Sequence, residues 1–344
     1  MACIVHIIDD AALGGVTRLL DSLINELSDV DQHHRILAIT RLRLPERIEA
    51  DIIVIHFTLS WAKLPFLMAL RWRFRNQRIV LVEHTYTAAF EAARVPVTWL
   101  FRQMLRIAYR AVDQVIAVSS GQARWMVQAK LLPAKRIRII PCVNDLSHFE
   151  TLAFPIAAGP LRLGAFGRFD RQKGYDILIE AMRYVPHNLA HLYLAGYGAD
   201  DASLRASAQH SLNISIQGRV DPVDFVSRMD AIVIPSRWEA GAVTCWETRA
   251  AGRPLIVSDV DGLPEQVPSD IGIVVPADDP TLLAEAICRL AMTDRTEMMI
   301  EARRSSVGAF AAAISAWRDV FSTAERVGRH RVLRRPAEQA AGSC

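Results

Sequence analysis

The sequence predicts an α/β protein of two tandem doubly wound, Rossmann-like domains that face each other across a cleft. Three observations carry that expectation. Short, β-branched apolar runs alternate with amphipathic helices along the 344 residues. Those runs lack polar alternation, as do strands of a parallel sheet covered on both faces. The pattern also halts at FPIAAGP, residues 154–160, and then starts again.

In the first half, CIVHII reads as a buried strand. LGGV makes a turn, and TRLLDSLINELS is a helix by the spacing of Leu19, Leu20, Leu23, Ile24 and Leu27. DIIVIHF, RIVLVEH, QVIAVSS and RIRIIP continue the strand series. In the second half the strands are LRLGAFG, AHLYLAG, NISIQG, AIVIPS, RPLIVS and GIVV, with a helix from Tyr175 and others between most of them. The expected division is a first domain over 1–155 and a second over 156–310. A helix over 311–327 is expected to pack back towards the first, and 328–344 to form a basic flexible tail. Ligands of open α/β sheets bind beyond the carboxyl ends of the strands, so two such edges would line one cleft.

Composition narrows the function. With 51% apolar, 22% charged and 7% aromatic residues, the chain reads as an ordinary globular protein. Its five cysteines are scattered without a C-x-x-C pair, which argues against zinc or a disulfide framework and fits a reducing, cytoplasmic setting. The start, MACIVHIIDD, has no basic region before its apolar run, which argues against a secretory signal. No apolar stretch approaches the length that spans a bilayer. Net charge is +3, yet residues 63–110 hold nine Lys/Arg against Glu83 and Glu91. A second basic cluster, RVGRHRVLRRP, lies near the end. Neither interleaves aromatics as an RNA-binding motif does, so no nucleic-acid partner is expected.

The chemistry concentrates in two loops of the second half. SRWEAGAVTCWE, residues 236–247, places Glu239 and Glu247 on either side of Ala240, Gly241, Ala242 and Val243. Strand AIVIPS ends just before it, and a helix starts near Val243. Free N–H groups at such a helix start attract an anion, and small side chains let a phosphate come close. Carboxylates repel phosphate, so the two glutamates would face hydroxylated parts of the ligand: sugar on one side, ribose on the other. They could equally be solvated acids favoured by the helix dipole. GRFDRQKGYDILIEAM adds a second loop on the same edge. There the strand ends at Gly167, Arg168 and Lys173 follow, and Gly174 precedes a helix. A guanidinium fork and an ammonium beside a helix start make a diphosphate site.

GRFDRQKGYDILIEA, PSRWEAGAVTCWETRAAGRPLIVSD and DGLPE together resemble the C-terminal domain of retaining glycosyltransferases of family four, which have the GT-B fold. The paired glutamates with seven residues between are that family's hallmark. GGV, EHT, VSS and IPCVNDLSHF resemble its N-terminal loops more loosely, and the likeness runs over roughly residues 4 to 325. Two departures stand out: Glu-Ala-Gly-Ala replaces Glu-Gly-Phe-Gly, and Cys142-Val143 replaces Asn-Gly.

The resemblance implies a metal-independent transferase with no cofactor, using a nucleotide-diphospho-sugar donor. Arg168 and Lys173 would neutralise the leaving diphosphate. Glu247 would hold the ribose and Glu239 the sugar hydroxyls, with N–H groups of Ala240 to Val243 close by. Gly14, Gly15 and Gly167 would admit the donor, and His84 would sit near the transferred sugar. The acceptor would be a saccharide, and a membrane contact by the basic first half would make it a lipid-linked saccharide of a surface polysaccharide.

Other readings stay open. A nucleotide-sugar epimerase or hydrolase would need cleft carboxylates in the first half, where Asp9, Asp10, Glu83 and Glu91 are the candidates. A non-catalytic sugar-nucleotide binder would not need the full set of cations and glutamates. Asp259-Val260-Asp261 spells D-x-D, a metal-sugar motif of other transferases, but follows a strand in the wrong context. His6 and His56 read as core or strand-end residues, and His34 lacks ligand spacing. Trp238 could stack on a base or simply pack. Arg102, Arg106 and Arg110 recur every fourth residue and so lie along one helix face. That face could make peripheral contact with an anionic membrane, or its apolar side could pack on the sheet with the arginines in water.

Overall fold

Each half of the chain builds one six-stranded sheet. The structure is a computed structural model and describes residues 2–9, 15–28, 32–39, 48–155 and 159–332. The first sheet contains β1 (Ala2–Ile8), β2 (Gln32–Ala38), β3 (Ile52–Ile55), β4 (Arg78–Glu83), β5 (Gln114–Ala117) and β6 (Ile137–Ile139). The second contains β7 (Leu161–Arg168), β8 (Ala190–Tyr197), β9 (Ile214–Gln217), β10 (Ala231–Ile234), β11 (Leu255–Ser258) and β12 (Gly272–Val275). Their orders are β2-β1-β3-β4-β5-β6 and β12-β11-β10-β7-β8-β9, with every pair parallel. This is the doubly wound α/β architecture the apolar runs predict. β3, β10 and β11 are buried at every residue, as strands covered on both faces must be.

One strand is not expected from the sequence. β2, QHHRILA, is an edge strand with only one fully buried residue, so it carries no apolar run to announce it.

The winding order puts a switch point between β1 and β3, and another between β7 and β10. A crevice opens at the carboxyl ends of such strand pairs. In the second sheet that crevice lies between the loops carrying Lys173 and Glu239.

Short bonds join the halves. The Ala89 N–H donates to Asp261 Oδ1 (3.0 Å), and the Ser120 and Gly121 N–H groups donate to the Glu265 carboxylate (2.7 and 3.0 Å). After the second sheet the chain returns: the helix Ala309–Val332 lies against the first-half helix Gly15–Leu27. Arg318 donates to the Glu26 carbonyl (3.2 Å), and Arg78 donates to the Val320 carbonyl (2.5 Å). Arg138 pairs with Asp319 (2.9 Å). Phe321 is buried and stacks on Trp317. The helix outruns the expected 311–327, so residues 328–332 are helical rather than part of a tail, and 333–344 lie outside the described residues.

Candidate active site

The loop after β7 closes with a single turn, Arg171–Lys173, and passes into the helix Tyr175–Met182 through Gly174. Gly174 has φ +65°, and a Cβ there would stand 2.1 Å from the Pro235 carbonyl oxygen. Only glycine lets the two switch-point loops lie this close. That approach brings Lys173 Nζ to 2.6 Å from Glu239 Oε2. Ser236 Oγ donates to the same oxygen at 3.4 Å. Lys173 and Glu239, chosen from separate motifs, therefore form one unit.

Arg168 takes a different position. It is 67% exposed, near Asp170 and Gln172 (both 3.4 Å), at the rim of the site. It touches neither Lys173 nor Glu239 in this arrangement.

Around Glu239 the backbone is fixed by groups the sequence does not single out. Asp261 accepts from the Glu239 N–H at 3.1 Å and from Ala89 of the other half. Asp261 therefore braces two loops, while Asp259 is exposed. Among the described residues no group of three or more His, Cys, Asp or Glu could hold a metal ion. Gln266 forms an amide pair with Ala242, accepting from its N–H (2.9 Å) and donating to its carbonyl (3.1 Å). Gln266 is absent from the motif reading because nothing in its local sequence marks it.

Ala240 and Ala242 are buried, and Gly241 lies against Val118 of the first half. The helix Val243–Ala250 begins at Ala242 without a side-chain cap. Its uncapped N–H end and Lys173 border a cavity of about 20 Å3 lined also by Phe166, Tyr175, Ser236 and Thr244. That volume suits one water molecule.

Glu247 is almost fully buried. Asn144 Nδ2 donates to its Oε1 at 3.0 Å, Arg18 stands 3.8 Å away, and Oε2 has no hydrogen-bond partner among the described residues. Burial pushes its carboxyl pKa up, and Arg18 and Asn144 only partly oppose that. A buried carboxylate oxygen without a donor is a place for a ligand hydroxyl. Asn144 sits in the IPCVND segment, but only the fold shows that it meets Glu247.

In the first half, His84 follows β4 with its Nδ1 3.7 Å from the Cys142 thiol and its Nε2 on His56 (3.2 Å). Burial lowers its pKa to about 4. Cys142 is pushed up to about 12 by burial and then by the charge of Glu239, so it is a neutral thiol on the cleft side. Gly15 starts the helix Gly15–Leu27; Gly14 and Asp10 lie outside the described residues. Gly167 is the last residue but one of β7, so the strand runs one residue past its expected end, and a Cβ on Gly167 would stand 2.8 Å from Tyr175 Oη.

Of the first-half carboxylates that an epimerase or hydrolase would need, the three among the described residues are engaged. Glu83 accepts from Thr85 N, Tyr86 N and Tyr109 Oη, Glu91 is held by Arg102 and Trp125, and Asp9 meets Lys63. Trp238 is buried and packs edge-on against Phe90 (5.9 Å), so it joins the two halves rather than offering a stacking face. On the basic helix Thr98–Arg110, Met104, Leu105 and Ala108 pack inward. Arg102 is bidentate to Glu91 (2.7 Å), and Arg106 caps the carbonyls of Ala129 and Lys130 (3.0 Å). Of the three arginines on that stripe, Arg110 is the exposed one.

Known families match both halves. The family described as Glycosyltransferase Family 4 matches residues 27–148, and that described as Glycosyl transferases group 1 matches residues 160–293. A D-inositol 3-phosphate glycosyltransferase of Xylanimonas cellulosilytica is 26% identical over 83% of this chain and 73% of its own length. A phosphatidyl-myo-inositol mannosyltransferase of Mycobacterium leprae is 29% identical over 81% of this chain and 74% of its own. Among solved structures, the sucrose-phosphate synthase of Thermosynechococcus elongatus superposes with TM-score 0.76 at 20% identity, over 94% of this chain and all of that one. Anabaena HepE in complex with UDP-glucose gives 0.74 at 15% identity with the same coverage.

Proposed function

Since the chain belongs to the group 1 and family 4 glycosyltransferases, with the GT-B fold, we propose that it transfers a sugar from a nucleotide-diphospho-sugar, with retention and without a metal. The observation that carries this reading is the Lys173–Glu239 pair beside the uncapped helix at Val243, with Glu247 buried one turn further on.

In the reaction the bond between the anomeric carbon and the diphosphate oxygen breaks, and negative charge grows on the diphosphate. Lys173, the N–H groups at Val243 and, from the rim, Arg168 supply fixed positive potential there. Such preorganised charge is the main source of rate in reactions of this kind. Glu247 Oε2 accepts from a ribose hydroxyl. Glu239, held at one oxygen by Lys173, accepts from a sugar hydroxyl with the other. The acceptor hydroxyl attacks from the side the diphosphate leaves, and its proton passes to the departing phosphate oxygen. No carboxylate pair flanking the anomeric carbon is required, unlike in hydrolases.

The donor reading draws on the UDP-sugar complex of HepE, and a mannosyl donor on the Mycobacterium leprae relative. A lipid-linked acceptor draws on that same relative's phosphatidyl-inositol substrate and on the first half's surface. Trp72 and Trp99 are 78% and 67% exposed, on the helices Leu64–Arg73 and Thr98–Arg110, which pack on each other. Arg75, Arg94 and Arg110 are exposed nearby in the chain. Tryptophan with arginine suits a headgroup boundary. No helix among the described residues is long and apolar enough to cross a membrane, so such contact would be peripheral.

The experiment is a donor screen with UDP-glucose, UDP-N-acetylglucosamine and GDP-mannose, measuring nucleoside diphosphate release with and without saccharide or lipid-linked saccharide acceptors. Release that depends on acceptor is expected. Equal release without acceptor would replace transfer by hydrolysis, and none with any donor would leave a binding protein.

A further inference from the structure

Four histidines cross the first sheet in one hydrogen-bonded row. His34 lies on β2, His6 on β1, His56 just past β3 and His84 just past β4. By register His6 stands opposite Val54, and Ile4 opposite His34. Val54 in turn stands opposite Val80. Each histidine therefore sits two residues nearer the carboxyl edge than its neighbour, on the same face. Diagonal neighbours of this kind are within reach of long side chains.

The rings meet nitrogen to nitrogen. His34 Nδ1 is 3.1 Å from His6 Nε2, His6 Nδ1 is 3.0 Å from His56 Nε2, and His56 Nδ1 is 3.2 Å from His84 Nε2. Successive rings stack with centroids 5.3–5.5 Å apart. At the far end His34 Nε2 faces Gln32 Oε1 at 3.4 Å, and Phe321 packs edge-on against His34. At the cleft end, His84 Nδ1 faces the Cys142 thiol.

A neutral imidazole has one N–H and one lone pair, and an amide oxygen can only accept. The Gln32 oxygen therefore requires the proton of His34 on Nε2. His34 Nδ1 must then accept, which places the proton of His6 on Nε2. The same step repeats at His56 and His84. All four rings carry Nε2–H, and His84 Nδ1 is left as a bare lone pair at the cleft. The thiol at that end can donate to it, so both ends agree on one direction.

We propose that Gln32, His34, His6 and His56 are positioning residues that fix the tautomer of His84 from across the sheet, so that His84 presents a hydrogen-bond acceptor to the cleft. Resting on the transferase reading above, its ligand is a hydroxyl that donates, which displaces the weakly donating thiol. An imidazolium anywhere in the row would donate from both nitrogens and turn every ring on its cleft side, His84 included, to the Nδ1–H form, so the acceptor at His84 belongs to the neutral row. The lowered pKa values of His6, to about 3, and of His56 and His84 agree with those three rings held neutral.

The test is long-range 1H–15N NMR of the full chain with 15N-labelled histidine, without donor. The expected result is the Nε2–H form at all four rings, including His84. A Gln32→Glu variant, read at alkaline pH where the added carboxylate leaves His34 neutral, still offers only an acceptor and keeps that pattern. A Gln32→Lys variant offers only donors and turns His84 towards the Nδ1–H form, while thermal melting reports that the fold is intact. Finding Nδ1–H at His84 in the unaltered protein overturns the proposal. So does a folded Gln32→Lys variant whose His84 is unchanged. Turnover of UDP-glucose or GDP-mannose is read in parallel. Its absence beside the expected tautomers would sink the transferase reading and leave the histidine row standing.

Discussion

Lys173 Nζ and Glu239 Oε2 stand 2.6 Å apart and join the loop after β7 to the loop after β10. Both are largely buried, so the lysine is aimed rather than floating, and its charge is fixed before any diphosphate arrives. Lys173→Ala is expected to cut turnover by about a hundredfold or more, as loss of a transition-state charge partner does. It should also cost about 1–3 kcal/mol of stability by leaving Glu239 without its cation. Arg168→Ala should lower turnover but leave stability within about 0.5 kcal/mol, since Arg168 lies at the rim. Denaturant melts and steady-state rates on both variants check the contrast; equal stability losses would contradict it.

Glu247 gives the opposite pattern. Its carboxyl pKa is raised, so the ionised form costs stability above the ordinary carboxyl pKa, and that cost grows as pH rises towards the folded value. Glu247→Gln removes the charge while keeping an oxygen for Asn144. Melting at pH 8 should therefore rise. Affinity for UDP or GDP by calorimetry should fall about tenfold, the worth of one charged hydrogen bond. A variant that binds nucleotide as tightly as before would remove Glu247 from the ribose site.

Acid should loosen the first half before carboxylates titrate. His6 is lowered to about 3, by burial and then by His34, from an ordinary 6.5. The unfolded chain takes up that proton below 6.5 while the folded chain does not. Stability is thus full above pH 6.5 and is lost as pH falls towards 3. At pH 5, His6 alone accounts for about 2 kcal/mol. Urea melts at pH 7.5 and 5.0 measure the loss, and a His6→Asn variant should show a shallower pH slope.

Chelation is expected to change little. Asp261, the inner acid of the D-x-D sequence, is occupied by two backbone N–H groups. EDTA should leave turnover within about twofold, whereas a required Lewis acid is worth several kcal/mol. Activity lost to EDTA and restored by magnesium or manganese would reopen a metal-assisted mechanism.

Binding to anionic vesicles is expected to rest on Trp72, Trp99 and Arg110 rather than on the whole arginine stripe. Arg110→Ala should weaken sedimentation with phosphatidylglycerol vesicles about fivefold, the worth of one basic residue at the surface. The pair Trp72→Ser and Trp99→Ser should weaken it further. Neutral vesicles that sediment the protein equally well would favour a dissolved acceptor.

Much of this was legible because parallel strands declare themselves. Eleven strands follow from apolar runs; β2 does not, because an edge strand keeps polar residues such as Gln32, His33 and Arg35. Glu239, Lys173 and Glu247 could be picked out because small residues and helix starts mark their loops, two of which the fold joins through Lys173 and Glu239. Their partners could not. Asn144 reaches Glu247 across 103 residues, Gln266 clamps Ala242 from the short helix Leu263–Gln266, and neither has a local pattern. The histidine row was hidden for a stronger reason: His6, His34, His56 and His84 form a line only once strand order and register are known. Arg102 and Arg106 show the converse. Their periodicity is real, but Glu91 and two carbonyls that periodicity does not reveal engage both.

The helix Ala309–Val332 comes last in the chain yet belongs, by its contacts, with the beginning. Its Phe321 closes over His34, and Arg78 and Arg138 of the first half bind its residues. A gene cut at the 154–160 linker would therefore not yield two self-sufficient pieces. The leading piece would show the bare seat of Phe321, and the trailing piece would carry a greasy helix with nowhere to lie. Exchange of first halves between such proteins, in the laboratory or in evolution, needs two crossover points, with the last described helix travelling alongside the first sheet. A chimera with one junction should aggregate, and restoring the matched helix should rescue it.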